Sequence, residues 1–149
     1  MFSKTTEYAI RATIFIAKKS TGQNKLGIEE IADAIDSPRS FTGKILQLLT
    51  RDNKIVSSVR GPNGGFFITD KAKKLPVFAI LEATGESEVL KKCVMGLKMC
   101  SETQPCPMHI QYKVIKNELL NLFTTKTIEQ LASEIKEGAV YLNNKKKRI

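Results

Sequence analysis

The chain has 149 residues, 42% hydrophobic and 26% charged, which suits one domain with a proper core, or a small domain with an appendage, and excludes a fibrous or disordered chain. No apolar run nears the roughly 18 residues of a spanning helix, and Lys4, Glu7 and Arg11 stand where a signal peptide would be apolar, so a cytoplasmic protein without a membrane partner is expected. The net charge of +9 is uneven, with 13 Lys/Arg against 7 Asp/Glu in residues 1–75, 7 against 8 in residues 76–144, and four more cations from Lys145 to Arg148; such a field attracts polyanions, nucleic acid first among them.

From Ser3 to about Lys18, Tyr8, Ala12 and Phe15 recur at helical spacing and Ile10, Ile14 and Ile16 widen the arc, which predicts a largely buried helix. Polar Thr21 to Lys25 reads as a loop. Ile28, Ile31, Ala32 and Ile35 then follow helical spacing, with Glu29 and Glu30 in the first turn, where the helix dipole favours acids. Asp36-Ser37-Pro38 breaks this helix and starts another, with Ser37 as N-cap and Pro38 at the first helical position. In this third helix Phe41, Ile45 and Leu48, supported by Leu49, make the inward stripe. Arg39, Ser40, Thr42, Gly43, Lys44 and Gln47 are left on an outer face that is basic and polar, without an acid. Two short helices joined by a tight turn, the second with such a face, form a helix-turn-helix unit for double-stranded DNA, and Ser37, Arg39, Ser40, Thr42, Lys44 and Gln47 are its expected contacts.

The β-branched run from Ile55 to Val59, the turn Arg60-Gly61-Pro62-Asn63-Gly64-Gly65 and the run Phe66 to Thr69 predict a hairpin, and a hairpin directly after a recognition helix is a wing. Gly64 and Gly65 are expected to supply positive φ and close backbone approach. Arg60, Gly61, Asn63 and Gly64 are expected to face DNA, with Arg60 entering a minor groove. Pro76 opens a fourth helix with Val77, Ile80 and Leu81 inward, and Gly85 ends it. Glu86 to Cys106 lacks periodicity and holds all three cysteines. Pro107 begins a long helix to about Phe123, in which Ile110, Val114, Ile115, Leu119, Leu122 and Phe123 cover too wide an arc for one neighbour. That helix is the candidate dimer element. Thr127-x-x-Gln130 is a capping box for a last helix with Ile128, Leu131, Ala132 and Ile135 buried, and the chain beyond Gly138 is polar and expected to fray.

The fold class expected is mostly α with a small β-hairpin. A winged helix-turn-helix head spans 1–84, a cysteine-containing sensor loop 85–107, a dimerisation helix and packing helix 108–138, and a basic tail 139–149.

At Ser40-Phe41, Leu46 and the segment Val56-Ser57-Ser58-Val59-Arg60-Gly61-Pro62-Asn63-Gly64-Gly65-Phe66, the sequence resembles the Rrf-type family of bacterial winged-helix transcription regulators, which includes the iron-sulfur cluster regulator and the nitric-oxide-sensitive repressor. The likeness runs over nearly the whole chain. It implies a homodimer with two winged heads, a dimer helix after the cysteine loop and, in the sensing branches, a cluster held by that loop. The sequence departs from the family at Lys54, where a glycine usually ends the recognition helix. It departs again at Gly43, a mid-helix glycine that costs about 1 kcal/mol of helix stability.

Cys93, Cys100, Cys106 and His109 are spaced C-x6-C-x5-C-x2-H. An odd, clustered set of cysteines in a cytosolic chain argues against a disulfide framework and for metal or redox chemistry. Thiolates select iron-sulfur clusters, Cu(I) or zinc, and an imidazole in place of one thiolate raises a cluster's potential. Zinc sites favour paired C-x2-4-C spacing, which this sequence lacks. The reading is a 2Fe-2S or 4Fe-4S cluster on the four residues, sensing redox, iron-sulfur status or nitric oxide and labile in an aerobic sample. The resemblance makes Glu7, near the amino terminus of the partner subunit, a rival to His109 as fourth ligand. The alternative is a cluster-free regulator working through thiol oxidation or a partner protein. With no nucleophile–base pair, no phosphate loop and one histidine, an enzyme is not expected.

Overall fold

A computed structural model describes residues 1–136 and 140–145; Gly138 and the basic run Lys146 to Arg148 lie outside the described residues. Helix α1 (Lys4–Lys19) runs through the centre and packs against α2 (Ile28–Ile35), α3 (Arg39–Leu49), α5 (Phe78–Ala83) and α7 (Ile128–Glu134). It can take so many neighbours because its most buried positions, Thr6, Ala9, Ala12 and Thr13, are small, with Ile16 the large exception. The buried stripe therefore differs from the expected one, since Tyr8 and Phe15 are half-buried at its margin. The Thr6 hydroxyl donates to the Thr84 hydroxyl at 2.7 Å, tying α1 to the end of α5.

Strands β1 (Ser57–Val59) and β2 (Gly65–Phe67) pair antiparallel in the register Ser57↔Phe67, Ser58↔Phe66 and Val59↔Gly65. Leu26 joins from the other side, exchanging two hydrogen bonds of 2.8 Å with Phe66. Both strands are shorter than the β-branched runs suggest, because Ile55, Val56 and Ile68 turn into the core instead of extending the ladder. A short helix, α4 (Asp70–Lys73), follows; the expected elements do not include it, although Thr69 caps it through the Ala72 N–H at 3.1 Å. Helix α5 starts at Phe78, two residues after Pro76.

Beyond Gly85 the chain makes one 3-10 turn, Ser87–Leu90, and then only bends and turns until α6 (His109–Thr125). Thr127 begins α7 with both halves of the predicted capping box in place. Ile128 and Ala132 enter the same core as Ile16, Ile31, Ile35, Ile45, Leu49 and Ile80, while Leu131 and Ile135 stay half-buried. The last helix thus packs with the head, although it follows the long helix in sequence. Residues 140–145 return across α1 and α2 where fraying is expected: Arg11 donates to the Leu142 carbonyl at 3.1 Å, and the Lys145 ammonium lies 3.0 Å from Asp36. Among the described residues no helix is long and apolar enough to cross a membrane.

Candidate nucleic-acid interface and cysteine segment

Helix α2 ends because Asp36 takes the left-handed conformation (φ 54, ψ 53), and the Ser37 N–H bonds back to the Ala32 carbonyl at 3.0 Å. The chain then turns into α3 at Pro38, which is itself the N-cap; Ser37 makes no capping hydrogen bond to α3, because it lies one residue too early. Thr42 is also corrected. Its side chain is fully buried and its hydroxyl donates to the Pro38 carbonyl at 3.0 Å, so it faces the core instead of the outer face. The buried stripe is Thr42, Ile45, Leu46 and Leu49, with Phe41 and Leu48 at its flanks. This shift by one residue aims Ser40, Lys44 and Gln47, at i, i+4 and i+7, along a single exposed line. Arg39 is exposed but not free, since its Nε lies 2.8 Å from Glu29 Oε1 and braces α3 against α2. Gly43 is half-buried, and a Cβ there would stand 3.4 Å from the end of the Ile28 side chain, an ordinary contact, so packing does not require glycine at this position.

The exit from α3 explains the departure at Lys54. The left-handed residues are Asp52 (φ 58) and Asn53 (φ 49), types that tolerate this region, while Lys54 is right-handed helical. No glycine is needed. In the wing, the Gly64 N–H donates to the Gly61 carbonyl at 2.9 Å, leaving Pro62 and Asn63 at the exposed tip beside exposed Arg60 and Gly61. Positive φ falls on Gly61 (+108°) and Gly65 (+144°), not on Gly64. Gly64 is required for space instead, because a Cβ there would come within 2.2 Å of the Val59 carbonyl oxygen.

The cysteine segment brings its donors together in two pairs. Cys93 is buried; the backbone N–H groups of Leu97, Met95 and Gly96 and the Cys106 side chain lie near its thiol, and the Gly96 N–H donates to the Cys93 carbonyl at 3.0 Å. These N–H groups, that of Leu97 foremost, hold the Cys93 thiol below its ordinary pKa by favouring the thiolate. The left-handed Gly96 (φ +77) shapes this concavity, an amide nest of the kind that binds anions and iron-sulfur sulfurs. The second pair is Cys100 Sγ and His109 Nδ1, 3.5 Å apart. His109 is only 7% exposed, and its Nε2 has no hydrogen-bond partner. A carboxylate oxygen, Glu102 Oε1, stands 3.5 Å away, and the Lys113 ammonium holds that oxygen at 2.5 Å. Lys113 first, then His109, keeps the Glu102 carboxyl below the usual carboxylate range. Among the described residues no three of these donors converge as one group able to hold a metal ion. Glu7 lies on α1, half-buried and paired with Lys4 at 2.9 Å.

Residues 2–134 match the family model described as Rrf2, iron-dependent transcriptional regulator. The chain belongs to the Rrf2 family. Its relatives include a chain named as an HTH-type transcriptional regulator from Aquifex aeolicus, 31% identical over 88% of this chain and 90% of that one. The HTH-type transcriptional regulator IscR of Photorhabdus laumondii is 25% identical over 95% of this chain and 85% of its own. Among solved structures, CymR, titled the global cysteine regulator of B. subtilis, superposes with a TM-score of 0.71 at 18% identity, covering 91% of this chain and 98% of that one. That likeness carries the fold, a winged helix. As an Rrf2 protein this chain is a DNA-binding transcription regulator, not an enzyme.

The cysteines, the histidine and the wing are candidates already named from the sequence. Glu102 and Lys113 are not among them. Glu102 sits in a stretch without periodicity, but Lys113, four residues after His109 on a helix, lies on the same face and was open to inference.

Proposed function

We propose that this Rrf2 protein acts as a homodimer that senses redox, iron-sulfur status or nitric oxide through a cluster on Cys93, Cys100, Cys106 and His109. The observation that carries this reading is the Cys100–His109 pair, 3.5 Å apart, on the segment that also holds the free thiols of Cys93 and Cys106. The donor set fits the group: three free sulfurs and a buried imidazole whose Nδ1 lies 3.5 Å from one of them, Cys100 Sγ. Two donor pairs suit two irons better than one zinc, which asks for four donors around a point. When bound, the cluster supplies redox and nitrosylation chemistry. The protein's own share is to hold residues 86–107 against α6 and so set the spacing of the two heads.

The homodimer reading rests on α6. Tyr112, Lys116, Leu119, Leu120 and Phe123 are half-buried toward the rest of the chain, while Ile110 is 79% exposed and Val114, Ile115 and Leu122 are more than half exposed. A second copy laid on that face would bury them. On DNA, Ser40, Lys44 and Gln47 would meet bases and phosphates of the major groove, Arg39 and Ser37 its backbone, and Arg60, Gly61, Asn63 and Gly64 the neighbouring minor groove. Thr42 has no part in this contact.

A second reading, a cluster-free thiol switch, is favoured by one observation, that Cys93, Cys100 and Cys106 are all free thiols on one segment. Anaerobic purification separates the two. Visible charge-transfer absorption with iron and sulfide in equal amounts, lost in Cys100→Ala, is the expected result; a colourless protein with three titratable thiols after anaerobic iron and sulfide reconstitution would overturn the cluster.

A further inference from the structure

The donor pair at the start of α6 has a geometry of its own. Donors at about 2.3 Å (sulfur) and about 2.0 Å (imidazole nitrogen) from one tetrahedral metal lie about 3.5 Å apart, and that is the separation of Cys100 Sγ and His109 Nδ1. The other ring nitrogen points away from the sulfur, toward Glu102 Oε1 at 3.5 Å. A metal-binding imidazole ordinarily donates its second N–H to a carboxylate or carbonyl, which fixes both the tautomer and the plane of the ring. Here the carboxylate is in place but one step short of a proper hydrogen bond, and the buried Nε2 is left without a partner. Leaving such a group unpaired is costly, so closure of this gap is favourable whenever the segment tightens. Glu102 is not free to wander, because Lys113, one helical turn beyond His109, holds the same oxygen.

We infer that Glu102, held by Lys113, is the positioning residue that fixes His109 with its proton on Nε2 and its Nδ1 directed to the iron that Cys100 also binds. This inference rests on the proposed cluster. It goes further in assigning the ligating atom, the cysteine that shares its iron, and two side chains outside the donor set. Glu102 and Lys113 do not touch the metal. They act through the imidazole ring, whose orientation would otherwise be set only by packing at the end of a loop.

The single histidine of the chain makes the test clean, since any imidazole signal from a tag-free protein is that of His109. The protein is reconstituted with iron and sulfide, reduced by one electron and examined by pulsed paramagnetic resonance, once with histidine labelled by nitrogen-15 at Nδ1 and once at Nε2. Strong coupling to Nδ1 is expected. In parallel, Glu102→Gln should speed loss of the cluster to a chelator about tenfold or more, the usual scale for removing an outer partner of a ligating histidine. Glu102→Asp should restore part of the lifetime, and Lys113→Met should act in the same direction as Glu102→Gln, more weakly. Directly bound Nε2, the absence of any nitrogen coupling, or an unchanged lifetime in Glu102→Gln would overturn the inference while leaving the cluster standing. A wild-type protein that takes up no iron and sulfide overturns the cluster and the inference together. Helix content by circular dichroism, unchanged in Glu102→Gln, separates a positioning role from a general loss of fold.

Discussion

The head and the cysteine segment of this chain are held together by different physics. In residues 1–84 and α7, large apolar side chains such as Ile16, Ile31, Ile35, Ile45, Leu49, Ile80 and Ile128 are fully buried in one cluster. Across residues 86–125 only Leu90, Cys93 and His109 are buried, and two of those three are candidate ligands. The head can be ordered by removal of apolar surface from water, at about 1.5–3 kcal/mol per large side chain. The segment cannot, and what it offers instead is sulfur, imidazole, an amide nest and an uncovered helix face. A region of that kind can take its order from what binds it, as the proposed sensor would require.

The largest effect that would break this contrast lies in the head. Ile31→Ala removes a fully buried side chain from the cluster around α1 and should lower unfolding stability by about 2–5 kcal/mol in urea titration. An unchanged midpoint would mean that α2 is not part of the cooperative core. Val114→Glu is the counterpart on α6. It places a charge on a residue that is 59% exposed in the single chain, so helix content should hold while sedimentation shifts from dimer to monomer. A wild type that already sediments as a monomer at micromolar concentration would remove the dimer reading.

Legibility in the sequence follows the same division. Periodicity reports burial, so α1, α2, α3 and α7 could be read from the spacing of Ile, Leu and Ala, and the capping box at Thr127 placed the start of α7 correctly. What periodicity could not do was phase α1, where Tyr8 and Phe15 lie at the margin of the buried stripe, or α3. Phe41 and Leu48 are large but peripheral, and Thr42 satisfies its hydroxyl on Pro38 and so behaves as a core residue. The sequence does not tell which wing glycine needs positive φ, which falls on Gly61 and Gly65 while Gly64 is needed for room, nor that Asp52 and Asn53 take the left-handed positions at the end of α3. In the cysteine segment the spacing named the donors, but their pairing, the nest at 95–97 and Glu102 depend on turns that no periodic signal encodes.

A surface residue of the head sharpens the comparison from the side of function. Arg60 is exposed at the base of the wing and makes no ion pair among the described residues. Arg60→Ala should therefore weaken operator binding by about 1–3 kcal/mol, measured at matched salt on a fragment selected from random sequence. Its effect on unfolding should stay within about 0.5 kcal/mol, the usual range for such surface positions. Equal loss of stability and binding would show that the wing is a folding element and not a contact.

The smallest expected effect lies at the joint between the two regions. Glu86, the first residue past Gly85, accepts the Ser3 backbone N–H on both carboxylate oxygens, at 3.1 and 3.2 Å, and so anchors the start of α1. The polar surroundings that the Thr6 side chain and then Ser3 provide hold this carboxyl below its ordinary pKa of 4.5. Because the folded value is the lower one, the stabilisation is fully present above the unfolded value and is lost as pH falls through the folded value. Glu86→Gln should cost about 1 kcal/mol at neutral pH, a modest figure because the contact is solvent-exposed. The difference between wild type and variant should stay level from neutral pH down to the ordinary carboxylate range and shrink toward zero below it. A difference that stays constant down to strongly acidic pH would mean that the side chain acts by packing, and the joint would then belong to the head's apolar order instead of marking where that order gives way to polar contacts.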